Sequence, residues 1–385
     1  MKKLRFGLLP RVICAILLGL VLGSVMPAGI VGVFATFNSL FSQFLGFIIP
    51  LIILGMVVPG IADLGRRAGS LLLITVGLAY ASTLFSGFFT YFSCKAVFPA
   101  IIGTGGGAAV VNPESTLAAP FFTIDIDPVF GVMTALVLAF MLGIGIAATV
   151  ATTLRNAFSE FKAILEKVIV KVIIPLLPFY IFGIFLNMSH SGEAMHIIAL
   201  FGKMIGVIFV LHILLLLIQF SVAGGIAGKN PLRMLVKMMP AYATALGTSS
   251  SAATIPVTLG CVRKLGVEES IAEFTVPLCA TIHLAGSVMK ITATALGICM
   301  MYGMPYDTAL FTGFIFMLSV MMVAAPGVPG GAIMAAVGVL QSMLGFDQAA
   351  IGLMIALYIS IDSFGTACNV TGDGAIAVIV DRINR

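Results

Sequence analysis

Tryptophan is absent from this 385-residue chain, and Asp, Glu, Lys and Arg together make up only 9% of it. Ordinary soluble domains carry roughly 25% charged residues, so the scarcity excludes a water-soluble globule. Metal and redox spacings are missing as well. The six cysteines (Cys14, Cys94, Cys261, Cys279, Cys299, Cys368) form no CxxC and lie mostly in apolar runs, where cysteine behaves as a small hydrophobe. No HExxH, GxSxG or paired His/carboxylate spacing supports an enzyme in the membrane, and a serine without a base is a weak nucleophile.

What is present is hydrophobicity. Apolar residues are 60% of the chain, about 230 side chains, and a spanning helix uses about 20 of them. That ceiling is on the order of eleven spans, and loops lower it to about eight. A transmembrane β-barrel would alternate apolar and polar with period two, whereas residues 47–58, and 207–217 apart from His212, are apolar without alternation. The 42 glycines and 21 methionines suit helices packed closely in lipid.

Spanning windows fall at residues 12–26, 33–59, 70–92, 129–151, 168–186, 197–220, 271–301 and 349–380. The first, with Lys2 and Lys3 before it, has the outline of a secretory signal; in so hydrophobic a chain it reads as a first span. Residues 93–128 read as an external segment, and the glycines of 103–107 lack the strand and lysine that a phosphate loop needs. Residues 155–167 read as a short interfacial helix.

Two more apolar stretches, 239–260 and 308–344, are interrupted by Gly247–Thr254 and by Ala325–Gly331. Cytoplasmic loops should hold Lys and Arg. With the N-terminus inside, 17 of the 20 basic residues, all but Lys95, Lys203 and Lys290, fall on the cytoplasmic side. This holds only if both interrupted stretches enter and leave by the same face. They therefore read as re-entrant hairpins, one dipping from the cytoplasm and one from outside. Such inverted pairs of broken elements mark a secondary transporter whose site lies where the tips meet.

Ionisable groups within hydrocarbon are costly and usually functional. Asp362 and Asp373 lie eleven residues apart in the last window, about 20° apart on a helix. Thr366 and Asn369 share their face, giving a polar stripe that reads as a cation or ammonium site. The seventh window is interrupted at Thr281–Ser287, where unwinding would free carbonyls for Na⁺. His283 reads as a core histidine, a ligand or a proton carrier. Lys290 reads as snorkelling, as a partner of Asp362 or Asp373, or as a stand-in for a bound cation. Lys203 and His212 read as structural.

Four motifs, Ser249–Thr258, Ala280–Ser287, Gly327–Gly330 and Asn369–Asp373, resemble in order and spacing those of the dicarboxylate/amino acid:cation symporters, relatives of the glutamate transporters. The resemblance covers nearly the whole chain and implies an all-α polytopic membrane protein of eight transmembrane helices and two hairpins. It implies a homotrimer in the lipid membrane working as an elevator. Residues 1–65 would be scaffold, 66–95 the third, transport-domain helix, 96–195 external loop and scaffold, and 196–385 the transport domain. Asp362 resembles the acceptor of a substrate α-ammonium, with Thr366 and Asn369 beside it. Ser249, Ser250 and Ser251 would take the α-carboxylate. Ser287, Gly365 and the gate residues Val328, Pro329 and Gly330 belong to the same implied substrate set. One implied Na⁺ site uses Cys279, His283, Asn369 and Asp373; a second uses backbone near Thr281 and residues 322–325.

The departures sharpen this reading. Gly365 stands where acidic-substrate members have an arginine, so a substrate side-chain carboxylate would be buried unpaired, and the glycine would leave room for a larger neutral side chain. Ala285 stands at an aspartate of a third Na⁺ site, which is then lost, with His283 or Lys290 supplying a proton or fixed charge instead. The expectation is a secondary active transporter for a neutral L-amino acid, a small-molecule substrate, coupled to Na⁺ or H⁺, in a bacterial inner membrane with both termini cytoplasmic. It has no cofactor beyond Na⁺ as coupling ion, no enzymatic activity and no nucleic-acid partner. Alternatives are a carrier of an acidic amino acid or C4-dicarboxylate, and an anion channel.

Overall fold

The computed structural model describes residues 8–66, 70–102, 118–190, 194–323, 325 and 329–384, with the side chains of 63–66, 70, 133, 136 and 194–198 excepted. Every regular element among them is helical. The order is α1 (Leu8–Gly23), α2 (Ala28–Arg66), α3 (Ser70–Ile102), α4 (Val132–Thr149), α5 (Thr152–Val168), a π turn (Ile169–Ile173), α6 (Ile174–His190) and α7 (Ala194–Ala227). Then come α8 (Pro231–Thr248), α9 (Ser251–Lys264), α10 (Glu269–Ile282), α11 (Ala285–Met301), α12 (Thr308–Val323), α13 (Gly331–Leu344), α14 (Gln348–Ser360) and α15 (Asp362–Asn384).

Six helical stretches are long and apolar enough to cross a membrane: Ala28–Ala62, Leu71–Ile102, Thr152–His190, Ala199–Ala227, Glu269–Met301 and Asp362–Asn384. The windows at 12–26 and 129–151 correspond to α1 and α4. The protein is thus an all-α polytopic membrane protein. Its two interrupted stretches are helical hairpins, α8 with α9 and α12 with α13.

Four expectations change. The window 349–380 is two helices, α14 and α15, separated at Ile361 (φ −119°, ψ 17°); a single-residue junction leaves hydropathy untouched. Residues 155–167 lie in α5, which is amphipathic but runs through the π turn straight into α6. The π turn buries Ile169 and Ile173, one way a long helix absorbs an extra residue. The third span extends to Ile102 rather than 92; the glycines at 103–107 lie outside the described residues. The seventh span breaks only at His283 and Leu284, a narrower gap than Thr281–Ser287.

Helices α1, α2, α4, α5 and α6 pack on one another. A Cβ on Gly19 would stand 2.9 Å from the Phe182 carbonyl, and one on Gly23 2.6 Å from Ser189 Cβ. Backbones therefore touch, and Ser189 Oγ donates to Leu20 O at 2.7 Å. The segment leading to α4 is strapped to this layer: the Asn187 amide exchanges two bonds with the Ala118 backbone, and Phe121 N–H donates to Thr36 Oγ1 at 2.9 Å.

A second layer gathers α3, α7, α8, α9, α10 and α11 around α15, with α12 packed on α3 and α11. Its inner helices face protein rather than lipid, since 89% of the apolar window in Glu269–Met301 and 94% of that in Asp362–Asn384 is buried. Helices α13 and α14 join the layers: Gly338 fits against Ile49 and Val132, and Gly352 against Ile184.

The close approach at Gly23 gives the first prediction. Gly23→Leu should lower the thermal unfolding temperature in detergent, because overpacking costs about 1–3 kcal/mol. Gly29→Ala, where an added Cβ meets nothing within 4 Å, should leave it within error. Equal behaviour of the two variants would contradict the packing described.

Candidate functional site

The break between α10 and α11 places polar backbone deep in the fold, where every N–H and C=O needs a partner. His283 N–H still bonds Cys279 O at 2.8 Å. The residue at the N-terminus of α11, Leu284, has no side chain that caps it. Asn369 of α15 supplies one: its Oδ1 accepts from Gly286 N–H at 2.7 Å and from Ser287 N–H at 3.4 Å. Only glycine permits this approach, since a Cβ on Gly286 would stand 2.7 Å from Gly365 O.

At the α8–α9 tip, Ser249 takes the left-handed conformation (φ 50°) that ends α8. Ser250 then caps α9, its Oγ accepting from Ala253 N–H at 3.3 Å. The tip thus presents three hydroxyl-bearing residues at a helix N-terminus, the partially positive end.

These elements converge on one small pocket with a cavity volume of about 40 Å³, lined by Ser249, Ser250, Ser251, Thr281, Ser287, Tyr358, Asp362, Thr366 and Asn369, with Ala280, Leu284, Ala325 and Ala332. Ser287 Oγ accepts from Tyr358 OH at 3.1 Å and from Asn369 Nδ2 at 3.1 Å, so its own proton is the remaining donor. Thr366 Oγ1 bonds back to Asp362 O at 3.0 Å. Of the α12–α13 hairpin, Gly330 (φ +75°) donates its N–H to Asp362 Oδ2 at 2.9 Å. Pro329 adjoins it; Val328 lies outside the described residues.

The carboxylates are not bare. Lys290 Nζ donates to Asp362 Oδ1 at 3.0 Å and lies 3.7 Å above the centre of the Tyr358 ring, a charge pair supplemented by a cation–π contact. Its stem fills the space over Gly365, where an added Cβ would come within 2.5 Å of Nζ. This corrects the expectation that Gly365 leaves room for a larger substrate: the room is taken by a lysine from another helix.

Asp373 Oδ1 pairs with His283 Nδ1 at 2.9 Å; Ser82 Oγ lies 3.0 Å from His283 Nε2 and accepts from Gln219 Nε2 at 2.9 Å. The order Ser–His–Asp imitates a hydrolase triad, but His283 and Asp373 are enclosed, with 0% and 1% exposure. The predicted stripe therefore divides. Asp362, Thr366 and Asn369 face the pocket, and Asp373 faces His283 behind it.

Three oxygens of the implied Na⁺ site are engaged by protein groups: Cys279 O by His283 N–H, Asn369 Oδ1 by Gly286 N–H, and Asp373 Oδ1 by the His283 ring. Thr281 Oγ1 is turned onto Leu278 O. Among the described residues no group of three His, Cys, Asp or Glu forms a metal cage. Lys203 is exposed, and His212 is buried with Nε2 3.3 Å from Gly286 O. Sequence reasoning missed Ser82, Gln219 and Tyr358. The only signal for them is a polar or phenolic group inside a long apolar helix.

Asn369→Ala would leave the α11 N-terminus uncapped, a loss of about 1–3 kcal/mol for a buried unpaired donor. It should depress thermal stability clearly, whereas Ser319→Ala, which removes only a bond to Ile315 O within its own helix, should not. Equal midpoints for the two variants would refute the capping role.

The chain matches the family model of the sodium:dicarboxylate symporters over residues 8–383. It is similar to the serine/threonine transporter SstT of Acinetobacter baylyi, 24% identical across 99% of this chain and 98% of that protein. An excitatory amino acid transporter of Caenorhabditis elegans is 26% identical over 70% of this chain and 56% of its own length. Excitatory amino acid transporter 2 of Mus musculus is 24% identical over 64% and 44%. The chain spans about half the length of these two animal relatives. With a match over nearly its full length, the chain belongs to the sodium:dicarboxylate symporter family, a family of transporters and not of enzymes.

Proposed function

We propose that the protein is a secondary active carrier that couples entry of a neutral L-amino acid to Na⁺. The observation that carries the reading is the meeting of the serine tip, Asp362 and the outer hairpin in one pocket. The substrate carboxylate would sit at the α9 N-terminus among Ser249, Ser250, Ser251 and the Ser287 hydroxyl. Its ammonium would approach Asp362, a carboxylate with about four lone-pair sites, two of them used by Lys290 and Gly330. Lys290 turns away from the pocket onto Asp362 and Tyr358, so among the described residues no cationic side chain lines the pocket to meet a second substrate carboxylate. That favours a neutral solute over an acidic amino acid or a C4-dicarboxylate.

In this reading α1, α2, α4, α5 and α6, within residues 1–65 and 96–195, form the scaffold of a homotrimer. The third helix (66–95) and residues 196–385 form the part that moves, with both termini cytoplasmic in a bacterial inner membrane. The division is supported by the two packing layers, which meet at small contacts such as Gly338 on Ile49. Eight spans and two re-entrant hairpins then account for the basic residues. Ligand-driven gating requires differential affinity for the closed state, and the Asp362–Gly330 bond puts gate and substrate on one carboxylate. A second reading, coupling to H⁺, is favoured by one observation: His283 sits on Asp373 where the resemblance implies a cation ligand set.

Purified protein in liposomes should accumulate labelled neutral amino acids under an inward Na⁺ gradient, with saturable counterflow. Asp362→Asn should abolish both uptake and the thermal shift the same amino acid gives. Accumulation of C4-dicarboxylates instead, or a flux that never saturates, overturns the proposal. Uptake driven by a pH gradient alone, and lost in His283→Asn, establishes the proton reading.

A further inference from the structure

We propose that Lys290 is a tethered counter-cation. Its ammonium permanently holds the place beside Asp362 that a dissolved cation would otherwise have to fill, and through Asp362 it stabilises closure of the outer hairpin. The inference deepens the carrier reading and rests on it for the word gate.

Three observations bear it. First, Lys290 is fully enclosed, with 0% exposure, and does not line the pocket. Its three N–H donors match three acceptors: Asp362 Oδ1 at 3.0 Å, Asp362 O at 3.4 Å and the face of Tyr358 at 3.7 Å. A side chain so saturated neither binds solute nor exchanges with water; its effect passes through Asp362.

Second, the fold is cut to fit it. Gly365 is the residue over which the stem lies, and a Cβ there would stand 2.9 Å from Lys290 Cδ and 2.5 Å from Nζ. The phenol of Tyr358 is held under the ammonium by its bond to Ser287. Third, the other oxygen of the same carboxylate takes the Gly330 N–H at 2.9 Å. The outer hairpin is thus anchored to a carboxylate whose charge is already balanced. Without Lys290, the buried negative charge would carry a large desolvation cost until a cation from solution settled there.

The consequence is that closing the hairpin calls for one fewer cation from solution. Lys290→Ala opens a cavity of lysine-stem shape beside Asp362, and methylammonium is the probe that fits it. The gate is read by maleimide labelling of Pro329→Cys in a Cys14→Ser background. Lys290→Ala should label faster by about tenfold, as expected for loss of a charged hydrogen bond. Methylammonium should slow it saturably to the wild-type rate, while the parent protein ignores the probe. The double variant Lys290→Ala/Asp362→Ala removes both charges and should fold; it should label fast and be deaf to methylammonium.

A folded Lys290→Ala whose labelling is unchanged, or is not slowed by methylammonium, overturns the proposal. So does a double variant that labels at the wild-type rate. Neither readout requires a known substrate, so failure here is separable from failure of the amino-acid assignment, which the liposome experiment decides.

Discussion

A charge within a membrane protein must be neutralised where it stands, and the pairing of Asp362 with Lys290 is where this constraint shapes the site most. The pair links four elements. Asp362 begins α15, Lys290 rises from α11, Tyr358 from α14 lies under the ammonium, and Gly330 of the α12–α13 hairpin donates to the second oxygen. Remove one charge and the other is stranded at a cost of about 3–5 kcal/mol. The sodium:dicarboxylate symporter fold thus carries here a carboxylate balanced from within, and the α12–α13 hairpin is bonded to it.

The same demand for partners explains the broken helix. Non-helical backbone at this depth survives only when protein groups satisfy it. Asn369 does so for the α11 N-terminus, and in doing so commits the oxygen that a Na⁺ site would use. His283 makes a parallel commitment of Asp373, backed by Ser82 and Gln219. Behind the pocket lies a second hydrogen-bonded pair, so Asp362 and Asp373 of α15 are held by a lysine and an imidazole side chain from the helix after the break and from the break itself.

Much of the architecture was legible in the chain because hydropathy and charge are properties of single segments. The hairpins declared themselves through Gly247–Thr254 and Ala325–Gly331, where polar, proline and glycine residues interrupt apolar runs, and the placement of basic residues demanded that both return to their own side. Asp362, Thr366, Asn369, Ser287 and the serine tip do meet in one pocket. What stayed hidden depends on contacts between distant helices. Gly365 reads as empty space along α15, yet α11 fills it. Ser82 and Gln219 look like incidental polar residues until His283 is seen between them and Asp373. The junction at Ile361 and the π turn after Val168 alter geometry without altering composition.

The most direct test of this account is the charge carried per solute, read as the zero-current potential of proteoliposomes containing the purified carrier. A tethered cation travels with the loaded and the empty carrier alike and contributes no net charge. Lys290→Ala, which must take its cation from solution, is therefore predicted to move one more positive charge per neutral amino acid than the wild type. An identical charge ratio in the two proteins would contradict it.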